Sequence, residues 1–97
     1  MSIINFEWDE DKNKSNIKKH KISFEEAKSV FYDERARLIY DPEHSDQEDR
    51  FIILGLSQKL RELIVSHCYR SEKEIIRIIS ARKATNSEKE SYWRFLK

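Results

Sequence analysis

A chain of 97 residues with 38% charged and only 38% hydrophobic side chains departs from the average soluble domain, which has roughly 45–50% apolar and about 25% charged residues. No run approaches the ~20 uncharged apolar residues that cross a bilayer, and Met1-Ser2-Ile3-Ile4-Asn5 lacks the basic segment and long apolar stretch of a secretory signal, so a cytoplasmic protein without membrane contact is expected. A net charge of +1, five Phe, four Tyr and two Trp argue against disorder, and the single cysteine, Cys68, excludes an internal disulfide, so the chain reads as one domain over 1–97 held by burial alone.

Residues 6–8 alternate as a short strand. Asp9 then offers an N-cap for a polar helix to about His20, with acids in its first turn and Lys18 and Lys19 in its last. Ser23 and Glu26 form a capping box, Ile22 and Ala27 a hydrophobic staple, and Phe24, Ala27, Val30 and Phe31 share one stripe, which predicts a second helix ending near Asp33. Residues 37–40 read as a strand stopped by Asp41-Pro42, and 43–49 as an acidic loop without apolar anchors. Residues 51–56, 62–69 and 75–81 are three further strands. In the middle one Leu63, Val65, His67 and Tyr69 face one way and Ile64, Ser66 and Cys68 the other. Gly55 marks a bulge or the close approach of another element, packing being favoured over a ligand. Thr85 and Glu88 form a second capping box, opening a helix that carries Tyr92, Trp93, Phe95 and Leu96. The fold class is α+β: N-terminal helices packed on an antiparallel meander, with a C-terminal helix.

Charge divides along the chain. Residues 1–49 hold 8 Lys or Arg against 13 Asp or Glu, whereas residues 50–97 hold 11 against 5. Six of the eleven are Arg, the side chain suited to bidentate phosphate contacts, which points to a surface facing a polyanion. The alternative is a set of solvated faces whose charges cancel on folding.

Phe6-Glu7-Trp8-Asp9, Asn16, Lys19-His20, Ile22-Ser23-Phe24-Glu25-Glu26-Ala27, Val30-Phe31, Glu48 with Arg50, Gly55 with Ser57, and Ile76-Arg77-Ile78-Ile79-Ser80-Ala81-Arg82-Lys83-Ala84 followed by Glu88 and Tyr92 together resemble the BrnT family of bacterial toxins, over roughly residues 6–92. The resemblance implies a RelE-like fold and a ribonuclease that inhibits translation as the toxin half of a type II toxin-antitoxin pair. It further implies an RNA substrate and a BrnA-type ribbon-helix-helix antitoxin, with operator DNA reached only through that partner. Many relatives have Gly where this chain has Lys21, so the joint between the first two helices is expected to differ locally.

RNA cleavage without metal needs an aligned 2′-oxygen, a proton acceptor, a proton donor and cations on the developing charge. Arg50, Arg70 and Arg82 are candidate phosphate clamps, His67 or Glu48 the candidate proton acceptor, and Tyr92 a candidate positioning or proton-donating group. Each has a plainer alternative. Arg82 has Glu88 and Glu90 nearby for an ion pair, His67 shares a face with Leu63 and Val65 as core histidines do, and Tyr92 is placed to dock the last helix on the sheet. Arg77, between Ile76 and Ile78, points off the other face toward RNA or a neighbouring carboxylate, and Cys68 has no base at recognisable spacing. His44, Asp46 and Glu48 alternate along a loop, but zinc wants more Cys or His and a calcium loop a glycine, so no metal or other cofactor is expected. The absence of a Gly-rich phosphate loop and of a Gly-x-Ser-x-Gly elbow excludes nucleotide-dependent and acyl-transfer enzymes. Two readings stand: a metal-independent endoribonuclease toxin, and a non-catalytic antitoxin-binding and repression module derived from one.

Overall fold

The computed structural model describes residues 4–72 and 74–94. Strand β1 (Asn5–Glu7) leads into helix α1 (Glu10–His20). The Asp9 carboxylate accepts the Asp11 and Lys12 N–H groups, and Glu10 and Asp11 at the start oppose Lys18, Lys19 and His20 at the end, as the helix dipole favours. α1 lacks an apolar stripe: Ile17 is exposed and the buried residue is Asn16. Its amide donates to the Ile22 and Ala81 carbonyls at 2.8 and 2.9 Å and accepts the Ala81 N–H at 3.1 Å. One side chain thus ties a polar helix to the sheet. Lys21 ends α1 in the left-handed conformation, φ 62° and ψ 31°, which glycine adopts freely and a lysine only at a steric cost.

Helix α2 (Phe24–Val30) begins with Ser23 accepting the Glu26 N–H at 3.0 Å. The expected capping box is only half formed, because the Glu26 carboxylate turns instead to Ser57 and Arg61. The helix stops at Val30, short of the expected end near Asp33. Phe31, Tyr32 and Asp33 continue as a tighter turn, each N–H bonding the carbonyl three residues back.

Strands β2 (Arg37–Tyr40), β3 (Arg50–Leu56), β4 (Glu62–Arg70) and β5 (Ile75–Lys83) complete a five-stranded sheet in the order β1-β5-β4-β3-β2. β2 through β5 pair antiparallel, as the meander requires, and β1 adds to β5 in parallel, so the sheet is mixed. A 3-10 turn, Pro42–His44, opens the loop after β2. On one face Ile22, Phe24, Ala27 and Val30 pack over Ile53, Leu63, Val65, Ile76, Ile78 and Ala81. A Cβ at Gly55 would lie 2.9 Å from both Val30 Cγ1 and Ala36 Cβ, so this glycine marks the close approach of a neighbouring element.

Helix α3 (Asn86–Arg94) crosses the other face. Its capping box is complete: Thr85 N–H donates to Glu88 and Glu88 N–H to Thr85. Tyr92 packs with Leu54, Ile64 and Ala84, covering one end of the sheet, and the described residues leave the rest of that face open. Phe95 and Leu96, expected on this helix, lie outside the described residues. No described helix is long and apolar enough to cross a membrane.

Candidate active site

Strand alternation and register decide what the open face carries. Arg50 lies across from Cys68, and Arg82 across from Ile64, so Arg50, Arg70 and Arg82 project from one side of the sheet. Arg77 and Arg82 are five residues apart and would point to opposite faces of a regular strand. A bulge resolves this. Ser66 pairs with Ser80 but His67 with Ile78, leaving Ile79 as the extra residue and turning Arg77 to the same face, across from Cys68.

Between that face and the loop after β2 lies a cleft of about 350 Å³. Ile52, Ile64 and Ile79 contribute its apolar lining, and Asp41, His44, Arg50, Ser66 and Arg82 are among its polar residues. A second depression of about 290 Å³ shares His44 and Arg50 and reaches Glu48. The loop between them, an acidic segment without apolar anchors, is pinned by polar contacts: Ser45 Oγ donates to the Asp41 carbonyl at 2.6 Å and accepts the Arg50 N–H at 2.9 Å.

The arginines differ in how much of their charge is engaged. Arg82 makes a two-pronged contact with Glu88, at 2.8 and 3.0 Å, so the plainer ion pair is real, yet the same side chain lines the cleft. Arg82, followed by the Thr85 N–H, holds the Glu88 carboxyl down at about 2. Arg70 pairs with Glu48 at 3.5 Å and Arg77 with Glu7 at 2.8 Å. Among the described residues, Arg50 forms no ion pair. Folding therefore cancels part of the back half's positive charge and leaves Arg50 the least compensated cation of the cleft.

Two expected catalytic groups lie elsewhere. His67 is on the helix-covered face, 0% exposed, its ring edge-on to Phe31 at 4.8 Å, with Nδ1 at 3.1 Å from the Val65 carbonyl and Nε2 at 3.3 Å from the Tyr69 hydroxyl. Burial lowers it to about 4, and it sits in the core on the face opposite the cleft. Tyr92 is 2% exposed, with its hydroxyl donating to Asp33 Oδ2 at 2.6 Å. Burial, then Asp33, pushes its phenol up to about 12. It docks α3 and does not reach the cleft. Glu48 stays at the margin with Arg70. Cys68 is buried beneath that pair; burial, then the Glu48 carboxylate, raises its thiol against the opposing pull of Arg70, which makes it a poor nucleophile.

The cleft also carries an imidazole whose residue type suggests, from sequence, only half a metal site. His44 Nδ1 sits 2.8 Å from Asp41 Oδ2, which orients the ring and leaves Nε2 for a substrate. The signal was present: Asp and His three apart across a proline-started 3-10 turn, where positions i and i+3 eclipse. Sequence reading also missed the contact of Glu26 with Arg61 and Ser57, spanning α2 and the turn before β4. Among the described residues no three His, Cys, Asp or Glu side chains are grouped to hold a metal ion.

Residues 8–88 match the family model described as the ribonuclease toxin, BrnT, of type II toxin-antitoxin systems. The chain belongs to the BrnT family. A crystal structure of the Brucella abortus ribonuclease toxin BrnT shares the fold, with a TM-score of 0.65 at 23% identity, covering 87% of this chain and 100% of that one. No curated protein matches the chain. As a BrnT-family ribonuclease toxin its substrate is RNA and its partner an antitoxin.

Proposed function

We propose that this BrnT-family toxin cleaves RNA without a metal ion in the cleft on the open sheet face. The observation that carries the reading is the convergence of Arg50, Arg82 and the Asp41-held His44 on one cavity. Arg50 and Arg82 hold the scissile phosphate and offset its developing charge. His44 Nε2 takes the proton of the 2′-hydroxyl as that oxygen bonds to phosphorus. The bond from phosphorus to the 5′-oxygen breaks, a proton from solvent or the imidazolium goes to the leaving oxygen, and a 2′,3′-cyclic phosphate remains. Arg70 and Glu48 border the path of the strand. A cytoplasmic BrnA-type antitoxin that covers this cleft blocks it, and operator DNA is met only through that partner.

The non-catalytic reading draws on Arg82, whose fork is already occupied by Glu88. Turnover separates the two. Purified protein incubated with RNA in excess chelator is expected to generate cyclic-phosphate ends that accumulate with time. RNA bound without new ends at a large excess of protein overturns the nuclease reading.

A further inference from the structure

β2 is a sheet edge that none of the described residues covers. It ends the strand order, and its consecutive residues Leu38, Ile39 and Tyr40 are exposed by 53, 39 and 48%. Asp41 N–H points inward to the Arg50 carbonyl, so alternation directs the backbone groups of Ile39 inward and those of Leu38 and Tyr40 outward. An apolar edge with outward N–H and C=O groups is a template for another strand.

Its charges choose the occupant. The run Arg35-Ala36-Arg37-Leu38-Ile39-Tyr40-Asp41-Pro42-Glu43 is basic before the apolar core and acidic after it, and so complements itself when reversed. We propose that β2 pairs antiparallel with β2 of a second copy of this chain about a two-fold axis through Ile39. Leu38 and Tyr40, the residues with outward backbone groups, then form the hydrogen-bonded pairs. The two Ile39 side chains meet at the axis, and Arg37, which also donates to Ser91, lies across from Asp41 of the other copy, whose carboxylate also holds His44. Pro42, without an N–H, ends the pairing. This register matches outward backbone groups with outward groups and sets no like charges opposite each other. The axis stands perpendicular to the sheet, so the two five-stranded sheets become one and both clefts open on the same side. The contact is short, which makes the dimer concentration-dependent and weakened by salt. Asp41 is common to this contact and to the nuclease reading, but the dimer is measured by mass and not by turnover.

The test uses the full chain in analytical ultracentrifugation. The wild type is expected to shift from monomer to dimer as concentration rises. Ile39→Lys and Ile39→Glu each set like charges at the axis and are expected to be monomeric, while their equimolar mixture recovers the dimer. Circular dichroism checks that both variants are folded, and Ile39→Thr, uncharged and β-branched, serves if either is not, with an expected weaker dimer. A wild type that is monomeric up to about 1 mM, a dimer that survives Ile39→Lys, or a mixture that stays monomeric overturns the proposal. So does a monomer whose antitoxin complex alone is lost on Ile39→Lys, which would assign the edge to the antitoxin.

Discussion

His44 and His67 are the same side chain put to opposite uses by their surroundings. His44 is exposed and held by a carboxylate at 2.8 Å, whereas His67 is enclosed by aromatic rings and kept neutral by burial. His44→Ala is therefore expected to reduce the RNA cleavage rate by about 10²–10⁴-fold with little change in Tm, measured by single-turnover cleavage and thermal unfolding. His67 acts on stability. Its folded value of about 4 lies below the ordinary 6.5, so as pH falls from 6.5 toward 4 the unfolded chain takes up a proton that the folded one refuses, and stability is lost. His67→Phe should remove that loss, with the fall in Tm between pH 7 and pH 4.5 smaller than in the wild type by about 5 °C or more. Sequence alternation correctly grouped His67 with Leu63 and Val65, but nothing in one strand says which of its two faces the helices will cover. That depends on long-range packing. The Asp41–His44 pair, by contrast, is local, three residues apart, although from sequence His44 suggests only half a metal site with Asp46 and Glu48.

At the scale of elements, caps and breakers carried most of the information. Asp9, Ser23, Thr85 and the Asp41-Pro42 stop each fall where a helix or strand begins or ends. What sequence did not disclose is non-local: β1 adding in parallel to a strand some seventy residues later, the bulge that turns Arg77 and Arg82 to one face, and a carboxylate, Glu26, drawn from its own helix start to Arg61. In each case a distant partner outcompeted a local preference. Lys21 is a remaining local conflict, a lysine in a left-handed cap. Lys21→Gly is expected to stabilise the fold by about 1 kcal/mol, raising Tm by roughly 4–8 °C in a thermal melt; no change would mean that the Arg61 contact to the Lys21 carbonyl fixes this turn regardless of side chain.

Across the whole molecule, the fold converts a charge asymmetry along the chain into a difference between faces. The two helices of the acidic half cover one side of the sheet, and arginines from the basic half populate the other. Glu7, Glu48 and Glu88 compensate three of those arginines, so overall basicity is a poor guide to where a phosphate sits, and an uncompensated guanidinium is a better one. Arg50 meets that description beside the Asp41–His44 pair. The rate of RNA cleavage by Arg50→Ala, compared with wild type at matched folded protein in chelator, is the direct measurement. A loss of about 10²-fold or more with Tm unchanged is expected; an Arg50→Ala protein that cuts RNA at the wild-type rate would remove Arg50 as the phosphate clamp.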